Sequence, residues 1–259
     1  MLGALSDFAG GIQRWRTSYN LGVQDIALRY QRSVLGPFWI SASLLATILA
    51  LAYVFSAVFQ QQLGDYIAFL AAGLLAWQLI LTLITESCAS VMEHSAYLQN
   101  VRMPVNVIAG RLVFRNAIIF FHNAVVVLAV LLVFGATITH TAWLAFPGLG
   151  LILLLGYFLV MVLGPICARF RDVPQAVQSI MQIVFFLTPI FWMPSSVDGR
   201  PMFTNANPFY HFVELVRAPL LGHYPTTLNW QVALWTCAAV AVAAVISTAI
   251  TRKRLNLWL

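Results

Sequence analysis

The apolar residues of this chain form long blocks, each separated from the next by a polar segment, and this arrangement constrains the fold most. A helix needs about 20 mostly apolar residues to cross a membrane, because no backbone amide can stay unpaired in hydrocarbon. Only 8% of the residues are charged, whereas a soluble domain carries roughly a quarter. The sequence therefore predicts an all-α integral membrane protein with six transmembrane helices, over 35–59, 66–85, 112–135, 143–168, 173–192 and 230–250.

The lysines and arginines predict how these helices are oriented. Of the 14 basic residues, only Arg200 and Arg217 fall on one side of the six-helix map. Cytoplasmic loops are enriched in Lys and Arg, so the side that holds the other residues is predicted to be cytoplasmic, together with both termini. Those residues are Arg14, Arg16, Arg29, Arg32, Arg102, Arg111, Arg115, Arg169, Arg171, Arg252, Lys253 and Arg254.

Four polar segments complete the map. The cytoplasmic N-terminus, 1–34, contains apolar and polar residues interleaved over 20–32, which predicts an amphipathic helix at the membrane interface. Residues 86–111 form a cytoplasmic loop, and 251–259 form a cytoplasmic tail. The outer segment, 193–229, is interrupted by several prolines, so it predicts short broken helices rather than a folded external domain.

Motifs for catalysis, nucleotide binding and metal binding do not occur in the sequence. The only lysine is Lys253, and no Gly-rich phosphate-binding motif with a lysine is present, which excludes ATP binding by that route. No Cys-x-x-Cys or His-x-x-x-His pair occurs, so no metal site and no catalytic residue is predicted. The basic residues are spread between apolar blocks, which argues against a nucleic-acid partner. His122 lies inside the third predicted span, where helix packing and a functional role both stay open.

Polar residues within the predicted spans mark either contacts between helices or a polar path, because hydrocarbon penalises them. They recur at helical spacing as Gln175, Gln178 and Gln182, as Gln78, Thr82 and Thr85, and as Asn116 and Asn123. Aromatic residues gather near the outer ends of the first and fifth spans, where ring faces suit the C–H faces of sugars. The candidate substrate path consists of Tyr53, Phe59, Gln78, Asn123, Gln175, Gln178, Gln182, Phe186, Phe191 and Trp192.

Several motifs follow one another in an order typical of one family. Residues 29–39 read Arg-Tyr-Gln-Arg-Ser-Val-Leu-Gly-Pro-Phe-Trp, and residues 207–220 read Asn-Pro-Phe-Tyr-His-Phe-Val-Glu-Leu-Val-Arg-Ala-Pro-Leu. Between them lie Val-Arg-Met-Pro at 101–104, Arg-Phe-Arg-Asp-Val at 169–173 and Thr-Pro-Ile at 188–190. On this topology the chain resembles the six-span permeases of type-two ABC transporters that export polysaccharides such as O-antigen.

The resemblance implies a permease subunit of an ATP-driven exporter in the bacterial inner membrane. The implied substrate is a glycan linked to undecaprenyl diphosphate, which leaves the cytoplasm through two copies of this chain within the lipid bilayer. No cofactor is expected on the chain itself, since ATP and Mg belong to two copies of a cytoplasmic ATP-binding subunit. A related permease for capsule, teichoic acid or a small molecule is an alternative. A membrane-embedded glycosyl- or acyltransferase is another, but it would need polar residues converging at one face.

Family analogy also assigns roles to three groups of residues. For the coupling residues a solvated or headgroup-facing surface is the alternative, and for the diphosphate-binding arginines the alternative is positive-inside topology alone. Coupling to the ATP-binding subunit is assigned to Glu93, His94, Arg102, Pro104, Arg171 and Asp172. Recognition of the lipid diphosphate is assigned to Arg29, Arg32 and Arg169. An outer gate is assigned to Asn207, Pro208, Tyr210, Glu214 and Arg217.

Overall fold

Nine α-helices and one 3₁₀-helix make up the part of the chain that the computed structural model describes, which is residues 14–31, 36, 38–95, 98, 103–137, 139–194 and 202–251. Two residues with predicted roles, Arg32 and Arg102, lie outside these residues. In chain order the elements are α1 (Trp15–Tyr30), α2 (Phe38–Val58), α3 (Leu63–Glu93), α4 (Val105–Val133), the 3₁₀-helix (His140–Leu144), α5 (Ala145–Arg169), α6 (Val173–Leu187), α7 (Met202–Asn205), α8 (Pro208–Leu220) and α9 (Thr227–Thr251).

Five segments are long and apolar enough to cross a membrane: α2, α3, α4, the 3₁₀-helix joined to α5, and α9. This confirms the prediction of an all-α integral membrane protein. At the predicted fifth span, over 173–192, the structure has the shorter apolar helix α6. Its 15 residues rise by about 1.5 Å each and cover roughly 22 Å. The helix stops at Leu187 because Pro189 disfavours a helical backbone at Thr188, which is extended.

Helix α3 lies at the centre of the bundle and contacts α2, α4, α5, α6 and α8. It buries side chains on most of its faces from Tyr66 to Val91. This explains why apolar residues occur all around the helix and why the polar set Gln78, Thr82 and Thr85 covers only part of its length. Both α3 and α4 continue into the predicted cytoplasmic loop, over 86–93 and 105–111. The N-cap of α4 is Pro104, whose extended backbone begins the helix.

Helix α1 lies against α4 through a small face. A Cβ atom on Gly22 would lie 3.0 Å from the Arg111 carbonyl oxygen, so the two backbones approach as closely as only glycine permits. The Ser18 hydroxyl donates to the Val107 carbonyl oxygen at 3.2 Å on the same face. Trp15 and Leu28 remain exposed on α1.

The two ends of the bundle differ in charge. At one end, which we call the arginine end, α3 finishes, α4 begins, and Arg29, Arg111, Arg115 and Arg169 are found. The other end, which we call the opposite end, holds the start of α3 and the short helices α7 and α8. Helix α8 contacts α3, α5, α9 and the 3₁₀-helix, so the predicted broken outer segment folds back onto the bundle.

Candidate functional site

A cavity of about 790 Å³ lies between α2, α3 and α6, and we call it the main cavity. Gln78, Thr82 and Thr85 of α3 line it together with Gln178 and Gln182 of α6. Two of the three polar sets found in the sequence, apart from Gln175, therefore face the same space. Helix α2 contributes Thr47 to the wall. The rest of the wall consists of apolar and aromatic side chains, which are Leu51, Leu74, Trp77, Leu81, Met181, Phe185 and Phe186.

The glutamine amides in the main cavity are free to bind a ligand. Within the described part of the chain, the side chains of Gln78, Gln178 and Gln182 make no hydrogen bond to protein. The two threonines differ, because Thr82 donates to the Gln78 carbonyl oxygen at 2.9 Å and Thr85 to the Leu81 carbonyl oxygen at 2.8 Å. Within the described residues, these side chains therefore do not join α3 to α6 by hydrogen bonds.

Unlike the glutamines of the main cavity, the two asparagines of α4 form hydrogen bonds to neighbouring helices. Asn123 accepts a hydrogen bond from the Ser41 hydroxyl of α2 at 2.9 Å, and Asn116 donates to Glu86 of α3 at 2.5 Å. Both asparagines line a smaller cavity of about 210 Å³, which we call the side cavity. Gln78 and Thr82 line both cavities, so the two spaces share one wall.

Aromatic rings close the main cavity toward the opposite end. The ring centroid of Phe191 lies 5.3 Å from that of Phe55 on α2, 5.6 Å from Phe185 and 5.9 Å from Phe186. Phe59 stacks on Phe55 at 5.7 Å. Because Phe185 and Phe186 also line the main cavity, this aromatic group continues the cavity wall. Such flat faces and amide groups together suit a ligand with both C–H faces and hydroxyls.

Besides Asn123, which lines the side cavity, two residues of the predicted path lie away from the main cavity. Tyr53 is 77% exposed on the outer side of α2, and Gln175 is exposed one turn before Gln178. His122 is also exposed, and its Nδ1 lies 2.8 Å from the Ile118 carbonyl oxygen. Trp192 lies next to the aromatic group, where its Nε1 donates to the Phe186 carbonyl oxygen at 3.1 Å.

A group of ion pairs joins α1, α3 and α4 at the arginine end, and we call Asp25, Arg29, Glu86, Arg111 and Arg115 the Asp25 network. Arg111 Nε donates to Asp25 Oδ2 at 2.6 Å. Arg115 lies 2.8 Å from Glu86 and 3.5 Å from Asp25. Arg29 approaches Glu86 only to 3.9 Å. Three guanidinium groups and two carboxylates leave one positive charge, beside the side cavity that Arg29 and Glu86 line.

The opposite end is held by buried polar contacts. Arg217 is 1% exposed, forms an ion pair with Glu214, and donates to the Pro189 carbonyl oxygen at 2.6 Å. Its guanidinium also lies 4.0 Å from the centroid of the Phe69 ring. Asn207 caps α8 by accepting from the amide of Phe209 at 3.0 Å.

Further contacts tie α8 to the segment that follows α6. The side-chain amide of Asn207 donates to the Thr188 hydroxyl at 2.8 Å, so one residue both caps α8 and binds this segment. Pro208 occupies the first turn of α8, where its missing N–H is not needed. Tyr210 is half-buried, with its ring 5.5 Å from that of His211. The five residues of the predicted outer gate therefore share one short helix and its cap.

The sequence model of one family, described as ABC-2 type transporter, matches residues 19–221. This chain belongs to the ABC-2 type transporter family. The O-antigen export system permease protein RfbA of Klebsiella pneumoniae is 25% identical over 199 residues, which cover 71% of this chain and 76% of the relative. The protein of the same name from Myxococcus xanthus is 24% identical over 204 residues, or 77% of this chain and 78% of the relative. The resemblance inferred from the motifs is thereby confirmed.

In this ABC-2 transporter chain the residues with predicted coupling roles lie at the arginine end. Glu93 and His94 finish α3, while Arg171 and Asp172 form the exposed turn between α5 and α6. Burial lowers the pKa of His94 below its ordinary value, so its imidazole is neutral at pH 7 and accepts or donates without charge. Arg169 is exposed, and its guanidinium lies 5.3 Å from the centroid of the Phe170 ring.

The Asp25 network is the part of this ABC-2 transporter chain that sequence reasoning missed. From the sequence, Arg29 is the only member of the network with a predicted role, and Arg111 and Arg115 indicate only the orientation of the helices. Arg111 and Arg115 are four residues apart, so they share one face of α4. Two arginines on one face of an otherwise apolar helix indicate that carboxylates must lie opposite, since unpaired buried charges are costly. Which carboxylates these are depends on how α1 and α3 pack.

Proposed function

We propose that this chain is the transmembrane permease subunit of an ATP-driven exporter that moves a lipid-linked polysaccharide of the O-antigen type across the bacterial inner membrane. The main cavity is the observation that carries the proposal. It combines free glutamine amides with aromatic faces over about 790 Å³, and sugars offer the hydroxyls and C–H faces that such groups bind. The names of the Klebsiella and Myxococcus relatives agree with this substrate class.

We propose that a second copy of the chain closes the path. The main cavity is bounded by α2 and α6, and of the fifteen residues of α6, all of which are described, only Met181 is buried. Its Ile180, Ile183 and Phe186 side chains are more than half exposed. A second chain packed against these faces would enclose the glutamines between two subunits and give a twelve-helix translocator.

The ATP-binding subunit, which carries ATP and Mg, is proposed to bind at the arginine end in two copies. Positively charged segments favour the cytoplasm, so this end and both termini would lie there. Glu93, His94, Pro104, Arg171 and Asp172 of that end would contact the subunit, with Arg102 completing the group. Arg29 and Arg169, with Arg32, would bind the diphosphate of the lipid carrier, since guanidinium groups match phosphate oxygens.

The opposite end is proposed to be the exit from the path. Asn207, Pro208, Tyr210, Glu214 and Arg217 belong to α8 or its cap, and Arg217 binds the segment that follows α6. Movement of α8 would therefore carry the aromatic group at the end of the main cavity with it. In this role α8 acts as the outer gate.

Copurification with an ATP-binding subunit tests the proposal. The chain is coexpressed with a candidate ATP-binding subunit from the same organism, purified, and reconstituted in lipid. We expect a stable complex whose ATP hydrolysis rises when undecaprenyl-diphosphate-linked glycan is added. A complex that hydrolyses ATP at the same rate with and without glycan, but responds to a small molecule, would replace the polysaccharide by another substrate. A chain that never binds the subunit would refute the exporter proposal.

A further inference from the structure

A third cavity, of about 380 Å³, lies at the opposite end between α4, the 3₁₀-helix, α5 and α8, and we call it the apolar cavity. Phe120, Ala124 and Leu128 of α4 form one wall, and Val216 and Leu220 of α8 form another. Its volume is within the range of pockets that hold small ligands. It shares no lining residue with the main cavity, whereas Leu75 of α3 and Phe120 of α4 line both the apolar cavity and the side cavity.

The apolar cavity opens sideways, between two helices that cross the membrane. Trp143 and Phe146 stand at this opening, 73% and 54% exposed, with their ring centroids 5.5 Å apart. Phe121 of α4 is half-exposed on the other side. Since α4 and α5 are both spans, the cavity is continuous with the surface that the hydrocarbon of the bilayer covers.

Water is a poor occupant of this space. Thr139 is the only polar residue in the described lining, and its hydroxyl already lies 2.6 Å from that of Thr141. A buried water needs two to four polar partners, and cavities lined only by apolar side chains stay dry or bind apolar molecules. A flexible apolar chain that enters from the bilayer satisfies the lining without a polar partner.

We propose that the apolar cavity binds one acyl chain of a bilayer phospholipid. The chain would lie between the spans α4 and α5 on one side and Val216 and Leu220 of α8 on the other. Helix α8 is held at the same place by the Thr141 hydroxyl, which donates to the Pro219 carbonyl oxygen at 3.0 Å. The bound chain therefore supports α8 in its position against the bundle. This inference is independent of which substrate the exporter carries.

Photolabelling by a phospholipid with a diazirine in the middle of one acyl chain tests this proposal. The full-length chain is reconstituted in vesicles of phosphatidylethanolamine and phosphatidylglycerol that contain the probe, illuminated, digested and mapped by mass spectrometry. We expect residues 120–128 and 142–149 to be labelled more strongly than the segment around Trp235 of α9, whose side chain is as exposed as that of Trp143.

Two variants on α4 make the labelling specific to the cavity. Ala124→Phe places a ring in the cavity and is expected to reduce labelling of both segments to the level of α9. Val125→Phe, one residue further and exposed, adds the same ring outside and is expected to keep the labelling. Ala142→Phe fills the cavity from the 3₁₀-helix and gives the same expected loss should Ala124→Phe fail to fold.

Three results would overturn the proposal. The first is labelling that stays unchanged in both filled variants. The second is labelling of these segments by a polyprenyl phosphate probe that phospholipid in excess does not compete away, which would make the occupant a carrier lipid. The third is a crosslink between two copies of this chain at Trp143, which would make the occupant protein.

Discussion

Asp25 is the only carboxylate that α1 contributes to the Asp25 network, so its charge is predicted to make a large contribution to the docking of this helix on α4. Asp25→Asn keeps the size of the side chain and removes its charge, leaving the guanidinium groups of Arg111 and Arg115 without their partner on α1. Asp25 and Arg115 are both 11% exposed, and Arg111 is 13% exposed. We therefore expect α1 to detach from α4 more readily, while the remaining helices keep their positions.

The expected size of the effect follows from burial. Removal of one partner of a buried ion pair costs about 3–5 kcal/mol, and the slight exposure of this network places the loss near 3 kcal/mol. With about 1.4 kcal/mol for each factor of ten, the ratio of docked to undocked α1 should fall by roughly a hundredfold. Hydrogen exchange of the α1 amides measures that ratio directly, because these amides exchange when α1 opens locally.

The same substitution elsewhere serves as the control. Asp65→Asn changes an exposed carboxylate in the first turn of α3, at the opposite end, and should leave the exchange of α1 unaltered. A double-mutant cycle of Asp25→Asn with Arg111→Gln should give a loss smaller than the sum of the single losses. Protection of α1 within about threefold of wild type in Asp25→Asn, less than 1 kcal/mol, would refute the reasoning.

Three further predictions concern single side chains. Burial lowers the pKa of His94 from its ordinary 6.5, so as the pH falls the unfolded chain binds a proton at this residue before the folded chain does. The melting temperature should therefore fall as the pH drops below 6.5, and His94→Gln should lessen this fall. Arg217→Met should cost about 3 kcal/mol in thermal or detergent unfolding, and Arg217→Lys should not restore it, because an ammonium cannot bind Glu214 and the Pro189 carbonyl oxygen as a planar guanidinium does. Gly22→Ala should weaken the contact of α1 with α4 and make hydrogen exchange of the α1 amides faster. Gly150→Ala is the control, because a Cβ atom there meets open space, and it should leave this exchange unchanged. Equal exchange in both variants would contradict the close approach of α1 to α4.

Much of the architecture follows from the sequence because membrane-spanning helices are fixed by local composition. Length and apolarity suffice to find α2, α4 and α9, and proline spacing suffices to break the outer segment into α7 and α8. The length of α6 is different, since Pro189 ends the helix well before the apolar block ends. An apolar run alone cannot distinguish a helix from an irregular segment that is buried by its neighbours.

Pairing between distant residues could not be predicted. Asp25 and Arg111 are 86 positions apart, and only the packing of α1 on α4 brings them together. Arg217 entered the topology as an external charge, yet the structure buries it beneath α8, where Gly73 of α3 leaves room for it. The polar residues of α3 and α6 recur at helical spacing in the sequence. Only the packing of the two helices shows that these residues face one cavity.

A translocation assay tests most directly whether the exported glycan passes through the main cavity. The chain and its ATP-binding subunit are reconstituted in vesicles with ATP outside, and lipid-linked glycan that enters the lumen is protected from an added glycosidase. We predict ATP-dependent protection with the wild-type chain and with Gln175→Leu, and its loss with Gln178→Leu combined with Gln182→Leu, at unchanged assembly. Wild-type transport by the double variant, or an equal loss in Gln175→Leu, would contradict the path along the main cavity.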